Sequence, residues 1–206
     1  MSQKSLNGKL KFSSFNVRDA MKRLGLISLE EWKFDFEHIQ PTPFFEERIK
    51  RLKNHFDLAS TERAKEILIE AICEEVLTRY PKIKVWKSAP LASDDLIGSA
   101  DYLITAQRRY IETPLLCVVE AKRDDFEKGL AQCLVEMQAC RWNNERDGEK
   151  IDIYGIVSNG ESWKFYKYDV GGKVFESEIF AFSDEPKLLG ALSYVFERCE
   201  KNLDEH

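Results

Sequence analysis

The chain has 206 residues, a net charge of −5 at neutral pH, 43% hydrophobic and 33% charged residues. These values describe a soluble globular protein with room for a real core, and exclude a disordered or membrane-embedded chain. The acidic total excludes general coating of nucleic acid, which needs a basic excess, but leaves room for an enzyme that touches nucleic acid through one local patch.

The first 57 residues hold 11 Lys/Arg and 8 Asp/Glu, a net of +3, so the remaining 149 carry −8. Residues 1–57 are expected to form a helical N-terminal arm docked on a core of residues 58–206. In the arm, Asn16 caps a helix over Val17–Leu24 that stops at Gly25. Ser28 is expected to cap a second helix opening on Glu30 and Glu31. Pro41 and Pro43 interrupt the pattern, and Phe44–Phe56 reads as a third helix. Phe12, Phe15, Phe34, Phe36, Phe44, Phe45 and Phe56 make the arm aromatic, as a segment packed on a neighbour is.

From Ser60 the pattern is regular. Ser60 or Thr61 opens a helix to about Thr78 whose apolar stripe is Ala64, Ile67, Leu68, Ala71, Ile72 and Val76. Ile83–Lys87 alternates as a strand, residues 90–99 read as a loop, and Ala100–Thr105 is a second strand. Pro114–Ala121 contains the run Leu115-Leu-Cys-Val-Val119, apolar on both faces, as in a central strand covered on both sides. Phe126–Trp142 is a helix. Ile153–Ser158 is a strand, Asn159-Gly160 a turn, and Trp163–Tyr168 and Val174–Phe182 are strands. Pro186 opens a closing helix to about Lys201. The order α-β-β-β-α-β-β-β-α predicts an α/β fold, a central mixed β-sheet flanked by helices.

Five cysteines, Cys73, Cys117, Cys133, Cys140 and Cys199, lie among apolar residues without a CxxC pair or a secretory signal. They read as buried reduced thiols of a cytoplasmic protein. His38, His55 and His206 have no ligand spacing to them, which argues against zinc. No apolar run reaches the ~18–20 residues of a membrane span.

The buried strand ends on Glu120-Ala-Lys122. Side chains alternate along a strand, so Glu120 and Lys122 share a face, where two charges are costly unless paired or bound to something. If the preceding strand pairs with it, Asp101 joins them. Two carboxylates suit a hard divalent cation, Mg²⁺ or Mn²⁺, with the Ala121 carbonyl as a further oxygen. The metal activates water for phosphodiester hydrolysis, and a lysine orients or deprotonates that water or offsets developing charge. A strand-end salt bridge is the structural alternative.

Gly98-Ser-Ala-Asp101 followed by Cys117-Val-Val-Glu120-Ala-Lys122 resembles the PD-(D/E)XK nuclease superfamily, with its restriction-endonuclease-like core. Ala100 stands where the motif has proline. Within that superfamily the chain looks most like the N-terminal nuclease domain of type I restriction enzyme R subunits and their stand-alone relatives. The shared features are the helix opening Thr61-Glu-Arg-Ala-Lys65, Ile153 to Gly160, and Trp163-Lys-Phe-Tyr166. The likeness covers about Ser60 to Tyr168. It implies Asp101 and Glu120 as metal ligands and Lys122 as the catalytic lysine. A helix glutamate would be a third acid, Glu62 by motif position, with Glu66, Glu70, Glu74 and Glu75 as other candidates. The first four form one ridge that would otherwise be a solvated face; Glu75 falls on the apolar stripe.

The likeness also implies a catalytic-site glutamine on the second core helix, matched by Gln132, with Glu136 where some relatives have tyrosine. Both would otherwise cap neighbouring backbone. DNA is the implied substrate, in a restriction, repair or defence context. A homodimer, or a motor or specificity subunit in trans, would be the partner, since no GxxxxGK[ST] motor signature is present. Cations for a phosphate backbone are sought in Lys122-Arg123, Arg108-Arg109 and the arm. Trp142, Trp163 and Tyr166 read as packing aromatics. A catalytically inactive member of the same fold, serving as an interaction or DNA-binding module, is the competing expectation.

Overall fold

The computed structural model describes residues 8–122 and 125–204. In chain order they form β1 (Leu10–Lys11), a 3-10 turn (Phe12–Ser14), α1 (Val17–Leu24), β2 (Glu30–Glu31), α2 (Pro43–His55) and α3 (Glu62–Leu77). There follow β3 (Ile83–Ala92), β4 (Leu96–Ala106), β5 (Leu115–Ala121), α4 (Phe126–Arg146), β6 (Ile153–Ser158), β7 (Ser162–Tyr168), β8 (Val174–Ala181) and α5 (Glu185–Lys201). The helices begin where short polar side chains take up free N–H groups. Asn16, Thr42, Thr61 and Asp125 each accept a backbone hydrogen bond from three residues on. Gly25 closes α1 at φ 72°, the left-handed conformation that glycine adopts without strain.

The strands form one mixed sheet in the order β1-β4-β5-β6-β7-β8-β2, with β3 paired to β4. β5 and β6 are parallel, joined through α4, and the short β1 and β2 lie parallel to β4 and β8; the pairs β3–β4, β4–β5, β6–β7 and β7–β8 are antiparallel. Ile97 of β4 pairs with both Ala92 of β3 and Lys11 of β1, so β3 takes one edge of β4 while β5 and β1 share the other. The fold is therefore α/β, a large mixed central sheet flanked by helices. α3 and α5 cover one face and α4 the other. Every residue of β5 is buried, as its two-sided apolar run requires.

Two expectations are corrected. No helix begins at Ser28. Glu30 and Glu31 instead form β2, pairing with Phe175 and Glu176, and the chain to residue 42 runs extended. The reason is legible afterwards: Trp32, Phe34 and Phe36 alternate, which puts all three rings on one side of an extended chain. Phe34 stacks on Tyr194 of α5 with ring centroids 4.6 Å apart, and Phe36 meets Phe180 at 5.7 Å. Residues 90–99 are not a loop either. β3 and β4 run on through most of them, leaving a tight turn at Ser93–Asp95, and Gly98 lets the Phe12 ring lie flat on β4.

Residues 8–57 are built into this sheet. β1 pairs with β4, β2 extends the β8 edge, and Phe12, Ala20, Trp32, Phe45 and Ile49 belong to the same buried cluster as the central strands. Arg23 ties α1 to Gln138 of α4 and to Asp95, and Glu75 of α3 accepts hydrogen bonds from the N–H and hydroxyl of Thr42 at the start of α2. The extended segment presses its backbone on α5: a Cβ at Gly190 would stand 2.3 Å from the Glu37 carbonyl oxygen. Gly190→Ala should therefore cost about 1–3 kcal/mol by overpacking. Thermal unfolding would check this, with amide exchange of residues 32–42 rising in the variant.

Candidate functional site

The site is built where β5 leaves the core. Pairing of β4 with β5 ends at Tyr102 opposite Val119, so Asp101 and Glu120 occupy the next position of the register on the face covered by α4. There the ladder is replaced by a side chain: Asp101 Oδ2 accepts the Ala121 N–H at 2.9 Å. A strand residue's N–H and C=O point the same way, so the Ala121 carbonyl is on the Asp101 side as well. Lys122 continues from β5, held by its N–H to the Ser158 carbonyl at 2.8 Å. α4 comes down closely over this end because Gly129 has no side chain. A Cβ there would lie 2.6 Å from Val157 and 2.9 Å from Lys122 Cγ.

The Lys122 ammonium stands among three carboxylates. Nζ is 2.9 Å from Glu120 Oε2, 3.6 Å from Glu62 Oε1 and 3.8 Å from Asp101 Oδ2. Glu120 is wholly buried, Lys122 nearly so, Asp101 31% exposed and Glu62 48% exposed, so the cluster opens to solvent on the α3 side. Burial alone would lower the Lys122 pKa, but Glu120, Asp101 and Glu62 outweigh it and hold the group at about 12. An ammonium so held carries charge and does not take a proton near neutral pH. Burial and the Glu120 charge, partly offset by Lys122 and the Ala121 N–H, raise Asp101 to about 6.

Of the residues singled out from the sequence, the structure brings Asp101, Glu120, Lys122 and Glu62 together. Gln132 lies half-buried on α4 and makes no hydrogen bond among the described residues, so it caps no backbone there. Glu66 and Glu70 pair with Lys87, Glu74 with Arg48, and Glu75 caps α2, so the acids of α3 beyond Glu62 are engaged elsewhere. Arg108 pairs with Glu112, and both Arg108 and Arg109 sit in the β4–β5 connection, at the opposite end of β5 and about 16 Å or more away. Arg123, like His206, lies outside the described residues. Trp163 and Tyr166 are core residues, and Trp142 is half-buried beneath Arg146.

The structure gives two further residues a place beside this site. Glu136 has no solvent exposure, and neither its oxygens nor those of Glu120 have a hydrogen-bond partner among the described residues; the 2.9 Å approach of Lys122 to Glu120 is an ion pair without hydrogen-bond geometry. Burial, then the charge and contact of Glu120, push the Glu136 carboxyl well above the usual range. The signal in the sequence was a polar residue on a helix apolar almost all round. Lys65, one turn beyond Glu62, is buried on the core-facing stripe of α3 and has no ion-pair partner among the described residues.

The donor chemistry, carboxylate oxygens beside a backbone carbonyl, is the kind a hard cation takes. Buried carboxylate oxygens without donors are what such an ion satisfies. Among the described residues, no group of three His, Cys, Asp or Glu side chains stands in ligand-like convergence, and the Lys122 ammonium lies among the acids. No helix among the described residues is long and apolar enough to cross a membrane. No protein-family model matches the sequence, and comparison with curated proteins gives no match.

The raised Asp101 carboxyl makes stability depend on pH. A group whose pKa is higher folded than unfolded stabilises fully below its unfolded value, here near 3.8, and that contribution is lost as pH rises through about 6. Asp101→Asn keeps the acceptor for the Ala121 N–H and removes the charge. In the absence of metal it should gain about 1–3 kcal/mol over the wild type at pH 7.5 and little at pH 4.5. Chemical denaturation at the two pH values would check this.

Proposed function

We propose that the protein is a divalent-cation-dependent nuclease of the PD-(D/E)XK kind, hydrolysing phosphodiester bonds in DNA in a restriction, repair or defence context. The observation that carries this reading is the meeting of Asp101, Glu120 and Lys122 at the open end of a buried central strand. Three charged groups here are expensive for the fold. A strand-end ion pair alone would need one carboxylate, not the cluster that surrounds Lys122.

Asp101 and Glu120 would hold Mg²⁺ or Mn²⁺, with the Ala121 carbonyl beside them. When bound, the cation supplies an acidified water and offsets charge on the scissile phosphate. Lys122, kept charged by its neighbours, orients the attacking water and stabilises negative charge developing on the phosphoryl oxygens. Glu62, on the solvent side of the ammonium, fixes the direction in which Nζ points. The cytoplasm is the compartment that suits this activity and five buried free thiols.

One observation favours a second reading, a non-catalytic interaction or DNA-binding module of the same fold: Lys122 already neutralises part of the cluster. Cleavage of linear and circular DNA with Mg²⁺ separates the two. The nuclease reading expects wild-type cleavage, and a fall of about 100-fold or more in Glu120→Gln and in Lys122→Ala with the circular dichroism of the fold retained. An inert wild type, whose variants differ only in unfolding midpoint, would support the module instead.

A further inference from the structure

We propose that Glu136 is a third carboxylate ligand of the cation at this site, so that the ion is held between the β4–β5 end and α4 and not by the strands alone. This rests on the nuclease reading above and adds a residue to it. Two glycines make the contact possible. Gly129 brings α4 against Lys122, and Gly155 of β6 admits Cys133 and Met137, where a Cβ would stand 2.4 Å from the Cys133 sulfur. Glu136 lies two helical turns after Gly129, on the same face of α4, and so comes down on β5 beside Glu120.

The two carboxyls then face one another in a place without solvent. All four oxygens lack a hydrogen-bond donor among the described residues. A buried acid kept only for packing would be better replaced by leucine or methionine, and one kept for a backbone contact would show that contact. Lys122 cannot answer for both acids, since its single ammonium already serves Glu120, Asp101 and Glu62. With their three carboxylates ionised, Asp101, Glu120, Glu136 and Lys122 sum to a net charge of −2, which one divalent cation cancels. Glu62, half in water, stands outside that balance.

The test uses the full chain and Mn²⁺ alone. Calorimetric titration of Mn²⁺ is compared for wild type, Glu136→Gln, Asp101→Asn and Glu120→Gln, and a wild-type crystal is soaked in Mn²⁺. The proposal expects Glu136→Gln to bind Mn²⁺ at least about tenfold more weakly, and the soaked crystal to place a Glu136 oxygen about 2.0–2.4 Å from the ion. If Glu136→Gln does not fold, the wild-type crystal decides. Binding that is lost in Asp101→Asn and Glu120→Gln but intact in Glu136→Gln overturns the Glu136 assignment alone. So does an ion on Asp101 and Glu120 with Glu136 beyond ligand distance. A wild type that binds no Mn²⁺ overturns the nuclease reading and this inference with it.

Discussion

Glu120 and Lys122 leave β5 on the same face, and their 2.9 Å ion pair lies where almost no solvent reaches. Much of the surrounding structure follows from the need to support those two charges. β5 must be held from both sides, which α3 and α4 do. α4 must approach closely, which Gly129 permits. Pairing with β4 must stop at Tyr102 so that the Asp101 side chain can bond the Ala121 N–H in place of a backbone carbonyl. The result is a strand end with more negative than positive charge, a costly arrangement for a fold unless another cation joins it.

The distribution of charge over the rest of the molecule bears on any nucleic-acid contact. The positive balance of residues 1–57 is only partly taken up by ion pairs: among the described residues Lys11, Arg18, Lys22, Lys50 and Lys53 are exposed. Arg23, Arg48 and Arg51 are each held by a carboxylate, and two of these pairs fasten the segment to its neighbours. Arg108 and Arg109 are at the wrong end of β5. At the site itself a phosphate backbone would meet Lys122, and long-range attraction would be weak, as a net charge of −5 implies.

The core strands and helices were legible because their patterns are long. The two-sided apolar run of β5 and the stripe of α3 both carry more than one full period. The convergence of Asp101 on Glu120 followed from alternation and one assumed pairing. What was not legible depended on partners distant in the chain. β1 and β2 are two residues each, too short for any period, and exist through β4 and β8. Glu75 sits on an apolar stripe because its partner, Thr42, is 33 positions away. Glu136 was visible as an oddity on α4, but its neighbour Glu120 emerges only once the helix is packed on the sheet. The extended aromatic segment was misread because capping residues at Ser28 outweighed the alternation of Trp32, Phe34 and Phe36.

The central claim is that the buried negative charge at the end of β5 is there to be balanced by a divalent cation. Its most direct measurement is the unfolding midpoint of the wild type as Mg²⁺ is raised at constant ionic strength. A cation that binds only the folded state stabilises by about 2.7 kcal/mol at a hundred times its dissociation constant. The account predicts a midpoint that rises with the logarithm of Mg²⁺ concentration once the dissociation constant is exceeded, a rise that disappears in Glu120→Gln. A midpoint indifferent to Mg²⁺, or one that rises equally in the variant, would contradict it.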